Sequence, residues 1–175
     1  MARLRKFCSY RSLERPYTRR SKYRKKDFVK ANPNVSIVRF EMGVKKDFPC
    51  TLMLKSKRAL QIRHNAIEAG RQSSNKVLEE GLGKTGYFMH IQIYPYHILR
   101  ENPLASGAGA DRMSTGMQMS YGKPIGRAAQ VKLDQTLVKV GVNKQHMDIA
   151  RTALKRFASK LPCSCRIEIA ERKAG

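Results

Sequence analysis

Residues 87–94 read Tyr-Phe-Met-His-Ile-Gln-Ile-Tyr. Met89, Ile91 and Ile93 alternate with Phe88, His90, Gln92 and Tyr94, the period of a strand with one buried and one open face. Pro95 marks its end or a sheet edge. Such a sheet needs a cover on its apolar face. Upstream, Leu60, Ala66, Ile67, Gly70, Ser74, Val77 and Leu78 recur at helical spacing, with Arg58, Arg63, Arg71 and Lys76 on the remainder. This predicts a helix capped by Ser56, running to about Glu80 and stopped by Gly81. Before it, Val35–Phe40 and Cys50–Leu54 read as strands joined by a turn through Gly43, Lys45, Lys46 and Asp47. Asn32-Pro33-Asn34 opens this body.

Downstream, Ala129, Val131 and Leu133 alternate with Gln130, Lys132 and Asp134, and Leu137–Val142 is a further strand. Asn143 caps a second helix whose stripe is His146, Ile149, Ala150, Ala153, Leu154, Phe157 and Leu161, closed by Pro162. Cys165, Ile167 and Ile169 alternate with Arg166 and Glu168 in a last strand. The order predicts an α+β domain of two layers, two helices packed on a mixed, mostly antiparallel sheet.

Residues 100–127 interrupt this pattern. Five glycines (Gly107, Gly109, Gly116, Gly122, Gly126) and two prolines (Pro103, Pro124) rule out a long regular element through the middle. A loop of this length is functional or lacks fixed structure. Small side chains let a backbone approach a phosphate closely, and Arg100, Arg112, Lys123 and Arg127 supply positive charge. A finger pushed into nucleic acid and a mobile surface loop both fit.

Charge narrows the partner. Thirty-six basic residues against thirteen acidic ones give +23, with a pI near 10.4. Such repulsion opposes a compact state unless a polyanion neutralises it, so nucleic acid is the leading partner. No apolar run is long enough to span a membrane, and the basic start has no apolar segment behind it. In residues 1–30, Arg3, Arg5, Lys6, Arg11, Arg15, Arg19, Arg20, Lys22, Arg24, Lys25, Lys26 and Lys30 outweigh Glu14 and Asp27, a net of +10. Phe7, Tyr10, Tyr17, Tyr23 and Phe28 are interleaved with them. Cations bind phosphates and flat rings stack on unpaired bases, so this reads as an RNA-binding arm that orders on its partner. Residues 31–175 then form a single α+β domain carrying the loop. The 41% hydrophobic content suffices for its core.

Catalytic and metal signatures are missing. Gly83-Lys84-Thr85 lacks the earlier glycine of a phosphate-binding loop, Leu78 standing in its place, and reads as a helix-ending turn. Cys8, Cys50, Cys163 and Cys165 contain no Cys-x-x-Cys pair, and the four histidines fall at no zinc spacing, so reduced thiols and no metal are expected. No cofactor is called for. Met113, Met117 and Met119 are gap fillers or a soft contact surface. Only His97, at the root of the loop, and Asp111, within it, offer an acid–base pair for an alternative RNA-processing enzyme.

At Ala110-Asp111-Arg112, Thr115-Gly116-Met117 and Tyr121-Gly122-Lys123-Pro124 the chain resembles a known family. With Arg15-Pro16-Tyr17 and Tyr94-Pro95-Tyr96-His97, these motifs resemble the universal large-subunit ribosomal protein sixteen in its archaeal and eukaryotic form. The likeness runs across essentially all 175 residues. The chain stops at Gly175 without the long acidic tail of eukaryotic members, so the archaeal form is the nearer match; Gln118 stands where the eukaryotic pattern has Arg, and no phosphate contact is carried over to it. The resemblance implies an α/β-hammerhead-like fold, no catalysis, and a cytoplasmic place in the large ribosomal subunit. It implies rRNA binding, through Arg3, Arg5, Lys6, Arg11, Arg15, Tyr17, Arg19, Arg20, Lys22, Arg24, Lys25 and Lys26. It further implies the neighbourhood of 5S rRNA, other large-subunit proteins, tRNA in the A and P sites, and a part in late subunit assembly. The tRNA-facing residues carried over are Arg100, Asn102, Ser106, Gly107, Gly109, Asp111, Arg112, Gly116, Met117, Lys123 and Arg127.

Overall fold

A computed structural model describes residues 7–18, 22–27, 29, 31–101 and 122–171. The chain is α+β, with eight strands and two α-helices among these residues. Strands β1 (Glu41–Gly43), β2 (Cys50–Ser56) and β3 (Leu60–Arg63) precede helix α1 (His64–Leu82). Strands β4 (Tyr87–Ile91), β5 (His97–Glu101), β6 (Lys123–Val131) and β7 (Thr136–Val142) follow. Helix α2 (Met147–Ser159) and strand β8 (Cys165–Glu171) complete the order. Instead of one mixed sheet there are two, a five-stranded one ordered β1-β4-β7-β2-β8 and a three-stranded one ordered β3-β6-β5. Every pairing between the described strands is antiparallel.

The strand expected at 87–94 is present over Tyr87–Ile91 and the chain leaves the ladder after Ile91, yet the inward alternation continues, with Met89, Ile91 and Ile93 buried at 0–2% exposure. Its inner face meets Leu52, Leu54, Val138 and Val140 from the neighbouring strands and Phe157 from α2, all in one apolar core. The two helices approach closely because glycines lie between them. A Cβ at Gly70 would sit 3.1 Å from the Phe157 ring, and one at Gly81 would sit 3.0 Å from Ile149.

Three expected elements differ. The first helix begins at His64, not Ser56, because Leu60, Gln61 and Ile62 are all buried in a ladder with Val131, Gln130 and Ala129. Ladder hydrogen bonds outweigh helix propensity here. The Ser56 hydroxyl closes a local turn instead, accepting from Arg58 N–H at 3.3 Å and donating to Arg58 C=O at 2.6 Å. The helix ends at Gly83, whose φ of +66° suits glycine and whose N–H donates to Glu79 C=O. Gly81 lies inside the last turn.

The second difference is at 35–40, which is extended but joins no ladder. Its amides turn to α1, Ser36 N–H donating to His64 Nδ1 and Val38 N–H to Glu68 Oε2. Strand pairing starts only at Glu41, opposite His90. The third concerns Asn143, which precedes a 3-10 turn at Lys144–His146, and α2 starts after it. The tight turn between Lys132 and Gln135, with Asp134 at φ +57°, passes the chain from the small sheet to the large one.

Candidate nucleic-acid interface

The small sheet holds the ends of the glycine-rich stretch. β5 and β6 pair with His97 opposite Ala128, Leu99 opposite Gly126 and Glu101 opposite Lys123. Arg100, Lys123 and Arg127 therefore lie on a two-stranded ribbon, not in a loop running from 100 to 127. Their strands are fixed because Leu99 and Ala128 are buried in a second apolar cluster with Tyr10. Gly122 makes the entry to the ribbon. It has φ +67°, and a Cβ there would lie 3.0 Å from the Glu101 backbone. Asn102, Ser106, Gly107, Gly109, Asp111, Arg112, Gly116, Met117 and Gln118 lie outside the described residues.

The amino-terminal segment docks along the same sheet. Tyr10 is 6% exposed. Gln61 Nε2 donates to Ser12 C=O at 3.0 Å, and Gln130 Nε2 to Glu14 C=O at 2.9 Å. At the β5 edge, Tyr17 N–H donates to His97 Nδ1 at 2.8 Å and Ile98 N–H to Tyr17 C=O at 3.1 Å. The Arg100 guanidinium lies 3.9 Å over the Tyr17 ring. Residues 10–17 are thus seated on the body. Backbone and side-chain amides of the small sheet hold them, a pairing no local sequence pattern announces.

Further out, Arg11 lies over the Phe7 ring and Lys22 over the Tyr23 ring, with Tyr23 60% exposed. Arg15, Arg24 and Lys25 are exposed as well. Lys26 belongs to a 3-10 turn spanning Arg24–Lys26. Arg3, Arg5, Lys6, Arg19 and Arg20 lie outside the described residues. Of the described cations and aromatics of this segment, Arg15 and Tyr17 lie beside Arg100 and the ribbon that carries it.

Arg63 and His64, given no functional role from the sequence, adjoin the small sheet near Arg127. Arg63 ends β3 and neighbours Ala128 across the ladder. Arg63 Nε and Arg127 Nε are buried without a hydrogen-bond partner among the described residues. Both guanidiniums act on His64, whose pKa is lowered first by burial and then by Arg63 and Arg127. His64 is held neutral, with Nδ1 accepting from the Ser36 amide. Sequence spacing alone assigns Arg63 to the polar side of the helix, and no local pattern marks His64.

His97 has the same character. Burial lowers its pKa first and Arg100 adds to this, opposed by Glu14. A neutral ring accepting an amide proton fixes the amino-terminal segment and is spoken for structurally. All four cysteines are unbridged. No described helix is long and apolar enough to cross a membrane.

Comparison with known proteins decides the family. The family model for ribosomal protein L16p/L10e matches residues 18–168. The chain belongs to that family. It is 43% identical over 157 residues to large ribosomal subunit protein uL16 of Methanococcus maripaludis strain C5, covering 89% of this chain and 91% of that one. It is 44% identical over 161 residues to the uL16 proteins of Archaeoglobus fulgidus and Staphylothermus marinus, covering 91% of this chain and 89% of each. The resemblance read from the motifs is therefore correct, and the similar proteins are archaeal. This is a family of structural ribosomal proteins and not of enzymes, which overturns the alternative of RNA processing through His97 and Asp111.

Proposed function

We propose that the chain is an rRNA-binding constituent of the large ribosomal subunit. The observation that carries this is family membership across residues 18–168, joined to a net charge of +23. In this reading residues 1–30 are the basic arm and residues 31–175 the body, an α/β-hammerhead-like domain. The arm runs along rRNA and the β5–β6 ribbon presents the segment between Glu101 and Gly122 to tRNA in the A and P sites. The particle seat lies near 5S rRNA and other large-subunit proteins, in the cytoplasm, with a part in late subunit assembly. Docking of residues 10–17 beside Arg100 supports the arm and the ribbon acting as one surface.

The test is sedimentation of tagged protein from gently lysed cells through rising salt, with sequencing of the retained RNA. Retention on one large particle carrying large-subunit rRNA is expected. Loss at low salt, or recovery of mixed nucleic acid, refutes the reading. Arg112→Ala is expected to impair tRNA positioning or subunit maturation while leaving the fold intact. Unchanged subunit profiles and translation in that variant would sink the role of the segment.

A further inference from the structure

A cavity of about 690 Å³ lies between the amino-terminal segment and the small sheet. Its walls include Ser12, Glu14, Arg15, Tyr17, His97 and Arg100. The size falls within the roughly 300–1,000 Å³ range of small-ligand sites. The walls are held in place on both sides. Gln61 and Gln130 grip the carbonyls of Ser12 and Glu14, and the Tyr17 backbone is pinned to His97 and Ile98. A cavity fixed this way is pre-formed, so an occupant bears little ordering cost.

The chemistry of the walls selects the occupant. Arg15 and Arg100 are positive, Glu14 is negative and His97 is neutral, which leaves one net positive charge. One phosphodiester group carries one negative charge and balances it. His97 accepts at Nδ1, so its proton sits on Nε2 and is a donor. The Glu14 carboxylate accepts from an amino or hydroxyl group. Tyr17 and Arg100, 3.9 Å apart in the wall, are flat groups of the kind on which an unpaired base stacks. We propose that this cavity receives one unstacked nucleotide of an RNA strand, with Arg15 and Arg100 on its phosphate and Glu14 and His97 on its base or ribose. Sequence-independent cations elsewhere on the arm then supply affinity, while this cavity fixes the register of the strand. The proposal rests on the RNA-binding reading above.

The test uses the full chain bound to single-stranded RNA carrying photoreactive 4-thiouridine, irradiated and mapped by mass spectrometry. Adducts are expected on peptides holding Tyr17 or His97. Arg15→Gln, an exposed substitution that leaves the packing of the segment untouched, is expected to reduce those adducts by about tenfold, the loss of one charge-assisted contact. Uridine monophosphate is expected to compete with them far better than inorganic phosphate. If RNA binds but the adducts map elsewhere, or Arg15→Gln leaves them unchanged, the nucleotide cavity is wrong while RNA binding stands. Equal competition by inorganic phosphate makes the cavity a plain anion site and overturns the proposal. Failure of the chain to bind RNA at all overturns the function proposed above and this inference with it.

Discussion

Glu68→Gln is the most informative perturbation of the body. Glu68 sits on α1 with an 8% exposed residue surface, and its carboxylate accepts four hydrogen bonds. Arg71 donates twice, from Nε at 2.8 Å and Nη2 at 2.6 Å. Gln72 Nε2 donates at 3.0 Å and Val38 N–H at 3.2 Å. Hydrogen bonding from Arg71 is the main reason the Glu68 pKa is lowered, against a burial effect of opposite sign. A glutamine keeps one acceptor but turns an NH2 toward the Arg71 donors, leaving a guanidinium that is 12% exposed without its counter-charge. Breaking one side of a buried pair costs about 3–5 kcal/mol. The retained amide oxygen places the expected loss near the lower end, about 3 kcal/mol. On a urea slope of about 2 kcal/mol per molar this lowers the unfolding midpoint by about 1.5 M. Hydrogen exchange at the Val38 amide should accelerate together with it, because the side chain that accepts from that amide is no longer anchored by the Arg71 ion pair. Arg71→Met in the same chain should recover part of the loss, since no unpaired charge then remains. A midpoint within about 0.3 M of the parent, with Val38 still protected, would refute the claim that this pair clamps segment 35–38 to the helix.

Gly70→Ala sets a helix-propensity gain of about 1 kcal/mol against a Cβ placed 3.1 Å from a fully buried Phe157 ring, and overpacking costs about 1–3 kcal/mol. A net fall in melting temperature is expected, relieved by adding Phe157→Leu; a rise would show that the ring yields freely. The pH dependence follows from His64 and His97, whose folded pKa values lie below the ordinary 6.5. Below that value the unfolded chain binds more protons than the folded one, so stability falls as pH drops and levels off beneath the folded values. Urea midpoints measured downward from neutral pH should show this, and His64→Gln should flatten part of the decline. Replacing Arg11, Arg24 and Lys25 by Gln, which leaves Tyr10 and Tyr17 in their seats, should reduce the salt slope of RNA binding by up to roughly 0.7–0.9 per lost phosphate contact. An unchanged slope would mean that these cations do not touch phosphates.

Much of this protein is written in its sequence at short range. The alternation at Tyr87–Ile93, the helical stripe from Ile67 to Leu78 and that from Ala150 to Phe157 each record which face of a local element is buried. The motifs from Ala110 to Pro124 and the excess of cations carry family and partner class, because they depend on residue identity and not on folding. What lay beyond reach depends on partners distant in the chain. Leu60–Arg63 becomes a strand only because Ala128–Val131 offers it a ladder some seventy positions later. The amides of Ser36 and Val38 leave the sheet because His64 and Glu68 wait as acceptors on α1. The division of eight strands into two sheets, and the seating of Tyr10 to Tyr17 on the smaller one, follow from long-range hydrogen bonds and shared burial. Local periodicity fixes which side chains turn inward, and only the closed tertiary structure selects which backbone meets which.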